Sequence, residues 1–443
     1  MRTSPRFALL PGSLLAAALV VVLVPGTAGA AAKHAKHTQR VSVSSAGVQG
    51  DNDAYLDPAS LSANGRYVAF ESAASTFVPG DTNAASDVFV RDRKLRRTTR
   101  VSVGPGGVQA NDASYAPSIS ANGRYVAFWS YATNLVPGDT NAQPDVFVRD
   151  RKLHKTILVS VSSAGVQGDN VSRGPSISAS GRYVTFWSQA TNLVSGDTNA
   201  YADVFVRDLK LHRTTRVSVG PGGAQGDNVS FDPTISADGR MVAFQSAATT
   251  MVPGDTNGFS DVFVRDRELG KTILVSRGLA GAPGNGGSFT PSTVAGDRYV
   301  AFYSDATDLV PGDTNGFRDV FVRDLKTHKT TLVSVTSAGA QGNGASDLVA
   351  ISASGRWVAF QSQATDLVSG DSNGNYDVFL RDRKLHRTTR VSVSSKGAEG
   401  NGDSTLPAIS GDGRYVAFVS AASNLVPSDT NGFTDMFVRW PLH

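Results

Sequence analysis

One phrase recurs seven times along this chain at a spacing of fifty-eight residues. Its best preserved form is GDTN followed by DVFVRD, and its first aspartates are Asp81, Asp139, Asp197, Asp255, Asp313, Asp371 and Asp429. A fixed period over that length means that one supersecondary unit packs against copies of itself. Residues common to every copy build the unit. Residues that break the sevenfold pattern are the candidates for a single site.

Each copy carries four short runs rich in Val, Ile, Phe and Tyr. In the second copy they are Pro117 to Ser120, Arg124 to Ser130, Asp145 to Asp150 and Thr156 to Val161, separated by turn signals at Asn122-Gly123, Pro137-Gly138-Asp139 and Ser163-Ala164-Gly165. Four strands per unit and seven units predict an all-β, seven-bladed β-propeller. The RVSV run stands once before the first full unit, at Arg40 to Val43, and is missing after the last, which stops at Phe437, Val438 and Arg439. The N-terminal strand is therefore expected to complete the last blade and leave no open sheet edge.

The predicted organisation is a secretory signal peptide over 1–30, a flexible lead-in over 31–38 and one propeller over 39–443. Arg2 and Arg6 precede an apolar run from Phe7 to Val24, and Ala28-Gly29-Ala30 reads as a cleavage site. This predicts a secreted, extracytoplasmic protein with no membrane span after cleavage, and a monomer. The chain has no cysteine, so the β core has to hold the fold without disulfides.

The phrases SANGRYVAF, SASGRYVTF and SADGRMVAF, each followed by DVFVRD, resemble the TolB-like, WD-like propeller repeat. The resemblance covers the chain from about Thr38 onward and implies the propeller fold. The domain that precedes the propeller in TolB has no counterpart here, so that protein's envelope role does not carry over. Function does not follow from such a fold alone.

Motifs for catalysis are scarce. There is no G-x-S-x-G elbow, H-E-x-x-H, P-loop or dinucleotide fingerprint. His154, His212, His328 and His386 occupy one turn in four different blades, too far apart to converge on a metal or a nucleophile. Nucleic acid is not expected as a partner, because exposed aromatics do not interleave with the basic residues.

The GDTN loops offer a repeated acidic trio at positions one, three and seven. In chain order the trios are Asp81, Asn83 and Asp87; Asp139, Asn141 and Asp145; Asp197, Asn199 and Asp203; Asp255, Asn257 and Asp261; Asp313, Asn315 and Asp319; Asp371, Asn373 and Asp377; and Asp429, Asn431 and Asp435. Hard oxygen ligands at alternate positions suit calcium. The same residues also close turns through side-chain to backbone hydrogen bonds. Blade topology puts these loops and the blade-to-blade connectors on one, acidic face. The turns from Arg93 to Arg97, Arg151 to Lys155 and Arg383 to Arg387 fall on the opposite face, which the net charge of +4 conceals. That basic ring would suit an anionic cell-surface polymer.

Symmetry breaks at the channel mouth on the acidic face. Just before each innermost strand the copies carry Asp57, Tyr115, Arg173, Phe231, Phe289, Asp347 and Thr405. Tyr115, Arg173, Phe231 and Phe289 are the predicted ligand-binding residues, able to stack on a sugar or hold an anion. The expected function is a non-enzymatic scaffold that binds a glycan or protein at this mouth, with calcium as a structural ion. The alternative is a propeller glycosidase or polysaccharide lyase that uses channel-mouth carboxylates.

Overall fold

In every copy the second strand alternates large apolar and small residues, as in Tyr125–Ser130, and the third repeats Asp-Val-Phe-Val-Arg-Asp. Apolar side chains on both faces of these strands demand cover on both sides, which neighbouring blades supply. The computed structural model describes Met1 and residues 36–55, 61–292 and 295–442. The predicted signal peptide, most of the lead-in and Asp57 lie outside the described residues.

The chain forms seven four-stranded antiparallel sheets, each a blade. Blade 1 is the one that carries Asp81. Blade 2 is typical: Ser114–Ile119 innermost, then Tyr125–Ser130, Asp145–Asp150 and Lys155–Leu158. Among the described residues helix is confined to two short 3-10 turns, Pro105–Gly107 and Pro221–Gly223. No helix among the described residues is long and apolar enough to cross a membrane.

The last blade takes its outer strand from the N-terminal end. His37–Arg40 pairs antiparallel with Asp435–Trp440, Thr38 opposite Arg439 and Arg40 opposite Phe437. This strand lies three residues upstream of its predicted position, and the outer strands generally end before the VSV run. The cause is a side chain. The middle serine of that run, Ser102 in blade 1, accepts from Val88 N at 3.0 Å and donates to Asp87, so it caps the third strand and draws the chain off the ladder.

The core is a set of wedges between blades. One joins Val146, Val148 and Val159 of blade 2 to Ile177, Val184 and Phe186 of blade 3. Within blades, facing phenylalanines of the second and third strands stack, as Phe128 on Phe147 at 5.9 Å and Phe186 on Phe205 at 5.8 Å.

Two devices on the basic face lock neighbouring blades. An aromatic ring lies over the turn glycine of the next blade, so close that a Cβ on Gly123 would meet Tyr67 at 2.1 Å. An arginine from the next blade then covers the ring, Arg151 over Tyr67 at 4.8 Å and Arg383 over Tyr299 at 4.8 Å. Beside these turns the channel is drawn in by main-chain bonds from blade to blade: Ala63 N to Ala121 O at 3.1 Å, Ala121 N to Ala179 O at 3.1 Å and Ala179 N to Ala237 O at 3.0 Å. Ile119, Ile177, Ile235 and Ile351 help line a small cavity of about 180 Å³ there.

Candidate functional site at the channel mouth

The innermost strands of blades 2, 3, 4, 6 and 7 bend at the acidic face because each carries a bulge. Pairing skips between Tyr115 and Ser118 in blade 2, and between Arg173 and Ser176 in blade 3. The bulged residue has positive φ in Ala116, Gly174, Asp232, Thr290, Leu348 and Leu406. Such a kink turns an amide away from the ladder and toward the neighbouring blade. A side chain from the second strand of the preceding blade meets it: Glu71 accepts from Ala116 N, Gln245 from Thr290 N at 3.0 Å and Gln361 from Leu406 N at 2.9 Å.

Glu71 is the unusual member of this set. Six blades have Trp129, Trp187, Gln245, Tyr303, Gln361 or Val419 at its position, and blade 1 has a carboxyl group. Burial pushes its pKa up to about 7, against the lowering effect of the Ala116 amide. Tyr115 lies within its field, and burial followed by the charge of Glu71 raises the phenol's pKa.

The predicted residues Tyr115 and Arg173 fall in one assembly with side chains that the repeat pattern did not single out. Tyr115 packs on Trp129 at 4.7 Å, and Trp129 meets Tyr131 edge-on at 5.5 Å. The Arg173 guanidinium lies over Trp129 at 4.7 Å and donates to Tyr131 Oη at 2.6 Å. Phe231 stands apart from this group, edge-on to Trp187 of blade 3 at 5.1 Å.

Phe289 belongs to a second assembly across blades 4 to 6. It packs on Tyr303 at 5.6 Å, and Arg318 covers both rings. Arg318 Nε binds Asp305 at 2.9 Å, with Asp347 at 3.6 Å from Nη1, and Gln361 donates to Asp347 at 2.7 Å. Burial raises the pKa of Asp232 and of Asp347. Glu71, Tyr131, Asp232 and Arg318 were legible as breaks in the sevenfold pattern. They sit on the second strand, the bulge and the loop before the third strand, positions one blade alone does not show to share a mouth.

The acidic loops are organised by a different set of contacts. In every trio the asparagine oxygen accepts a main-chain amide two residues on, or its nitrogen donates to a connector carbonyl, as in Asn141 to Gly168 O at 2.8 Å. In blade 1 Arg100 Nη1 lies 3.3 Å from Asp81 and 3.1 Å from Asp87. Arg216 does the same for Asp197 and Asp203, Arg390 for Asp371 and Asp377, and Arg40 for Asp429 and Asp435. Asp371, Asp377 and Glu399 form an acidic cluster with oxygens within 4.8 Å of one another, and Arg390 pairs with all three.

No family model and no curated protein matches this chain. Solved structures do. An oligogalacturonate lyase in complex with manganese is similar at 12% identity and TM-score 0.55, covering 91% of this chain and 93% of that one. The oligogalacturonate lyase of Vibrio parahaemolyticus matches at 11% identity and TM-score 0.54, over 91% and 93%. TolB from Acinetobacter baumannii is 14% identical over 69% of this chain and 59% of its own, with a TM-score of 0.39. The chain has a seven-bladed β-propeller fold. At these identities the likeness is one of fold. The expectation of a non-enzymatic scaffold finds no support in these likenesses, since the propellers that match over nine-tenths of the chain are oligogalacturonate lyases.

Proposed function

We propose that this propeller is a polysaccharide lyase acting on an acidic glycan at the channel mouth. The observation that supports the reading is the Glu71 carboxyl, with a pKa near 7, beside Tyr115 and on the same rim as Arg173. A lyase breaks the glycosidic bond by elimination. Ionised Glu71 takes the proton from the carbon next to a uronate carboxylate. The electron pair of that C–H bond becomes a double bond as the bond to the glycosidic oxygen breaks, and the leaving oxygen takes up a proton. Tyr115, held protonated by its raised pKa, is the donor. Arg173 pairs with the uronate carboxylate and offsets the charge that builds beside it. The exposed rings Tyr201, Phe259 and Phe317, on adjacent blades, give sugar faces to stack on.

The test is incubation with a panel of acidic and neutral polysaccharides, followed by the ultraviolet absorbance of the unsaturated product. Turnover on acidic chains, lost in Glu71→Gln and in Arg173→Ala, supports the proposal. Reducing ends without unsaturation would mean hydrolysis, the glycosidase reading, and no turnover on any glycan would remove both. Export through the N-terminal segment fits a polymer substrate too large to enter a cell, and is part of the same proposal.

A further inference from the structure

The seven acidic loops are alike in sequence but not in how their charge is met. In blades 1, 3, 6 and 7 the last residue of the outer strand is arginine, and its guanidinium bridges the two loop aspartates at 2.8–3.3 Å. In blades 2, 4 and 5 that residue is Leu158, Leu274 and Leu332. Blades 2 and 5 retain a connector glutamine, Gln167 donating to both Asp139 and Asp145 and Gln341 donating to Asp313. Blade 4 has Pro283 in its place.

Asp255 and Asp261 of blade 4 thus lack both the cation and the amide found elsewhere. Asp255 is 7% exposed, and among the described residues its carboxylate receives a main-chain hydrogen bond at Asn257 and none from a side chain. Asp261 receives Ser276 and the Asn257 amide at 2.8 Å. Burial pushes both carboxyls up to about 6, with Asp261 and Asp227 adding to the effect on Asp255 and Asp308 to that on Asp261. No arginine or lysine pairs with either aspartate among the described residues. Two nearly dry carboxylates facing each other, with two more nearby, are costly without a counter-charge.

We propose that the blade 4 loop binds one hard divalent cation of the calcium class between Asp255 and Asp261. The same pair of carboxylates already holds a positive charge in four other blades of this molecule, so the chain shows what the geometry accepts. Oxygen donors on a loop, with a carbonyl or water completing the shell, suit calcium over softer metals.

Calorimetric titration of the whole chain with calcium chloride tests this. One equivalent should bind, raise Tm and be reversed by chelator. Asp255→Asn should weaken uptake at least about tenfold. Leu274→Arg supplies the guanidinium of the other blades; it should abolish uptake and leave Tm in chelator at or above that of the unaltered chain. No uptake by the unaltered chain would show that protons alone relieve the pair, and undiminished binding by Asp255→Asn would place the ion elsewhere. Either result overturns the proposal, and so does uptake of magnesium in preference to calcium.

Discussion

Glu71 carries a charge at a position where burial opposes it. Its folded pKa of about 7 lies above the ordinary carboxyl value of 4.5, so the folded state holds a proton that the unfolded chain has released between those two values. Stability from this group is present below pH 4.5 and is lost as pH rises through 7. Glu71→Gln removes that dependence, and its Tm advantage over the unaltered chain should therefore grow between pH 5 and pH 8. The cost of the charged form is about 3 kcal/mol at most. Lyase activity should move the other way, rising through pH 7 as the base ionises; a pH–rate profile flat from 5 to 8 would exclude Glu71 as that base. A second residue-scale prediction concerns Gly123, which has φ 73° beneath the Tyr67 ring. Gly123→Ala meets both a left-handed backbone and a ring that Arg151 holds down, and should lower stability by ~2 kcal/mol or more in urea unfolding.

At the scale of elements, the closing strand His37–Arg40 differs from the other six outer strands in having no turn to tie it to its neighbour. Arg40 anchors it to Asp429 and Asp435 with little solvent access, and Thr38 donates to Val393 O at 2.6 Å. Arg40→Leu should cost about 3 kcal/mol, the scale for breaking a buried ion pair. Arg216→Leu breaks the matching pair in blade 3, where a hairpin still holds the strand, and should cost less when both are measured in chelator. Equal losses would mean that the seam gains nothing from Arg40. These strands were readable because their Val, Ile and Phe runs alternate with Gly, Pro and Asn turns, and closure was readable because the strand count was one short at one end and one over at the other. The bulges were not. Ala116, Asp232, Thr290 and Leu406 have nothing in common as side chains, and at Ala116, Thr290 and Leu406 the turned amide donates to a side chain of the preceding blade, which no single repeat shows. The Arg100, Arg216 and Arg390 bridges were also hidden, since each arginine stands nineteen residues after its first aspartate in an adjacent strand.

For the whole molecule, rotational symmetry decides what kind of binding is possible. A site made of repeated residues would exist seven times, and one made of Glu71, Tyr115, Trp129 and Arg173 exists once. Titration with an acidic oligosaccharide should therefore give one site per chain, with affinity lost in Arg173→Ala and retained when the basic-face residues Arg96 and Arg97 are replaced. Several equal sites, or sensitivity to the basic face, would place recognition in the repeats instead. The pairing of His37–Arg40 with Asp435–Trp440 also fixes an order of events. The first strand of the ring to be synthesised waits for the last, across nearly the whole length of the chain, and contacts so distant in sequence form slowly. Until the final strand emerges, the newborn protein exposes an unpaired β edge at each end, so that its moment of greatest risk from aggregation comes late in its synthesis.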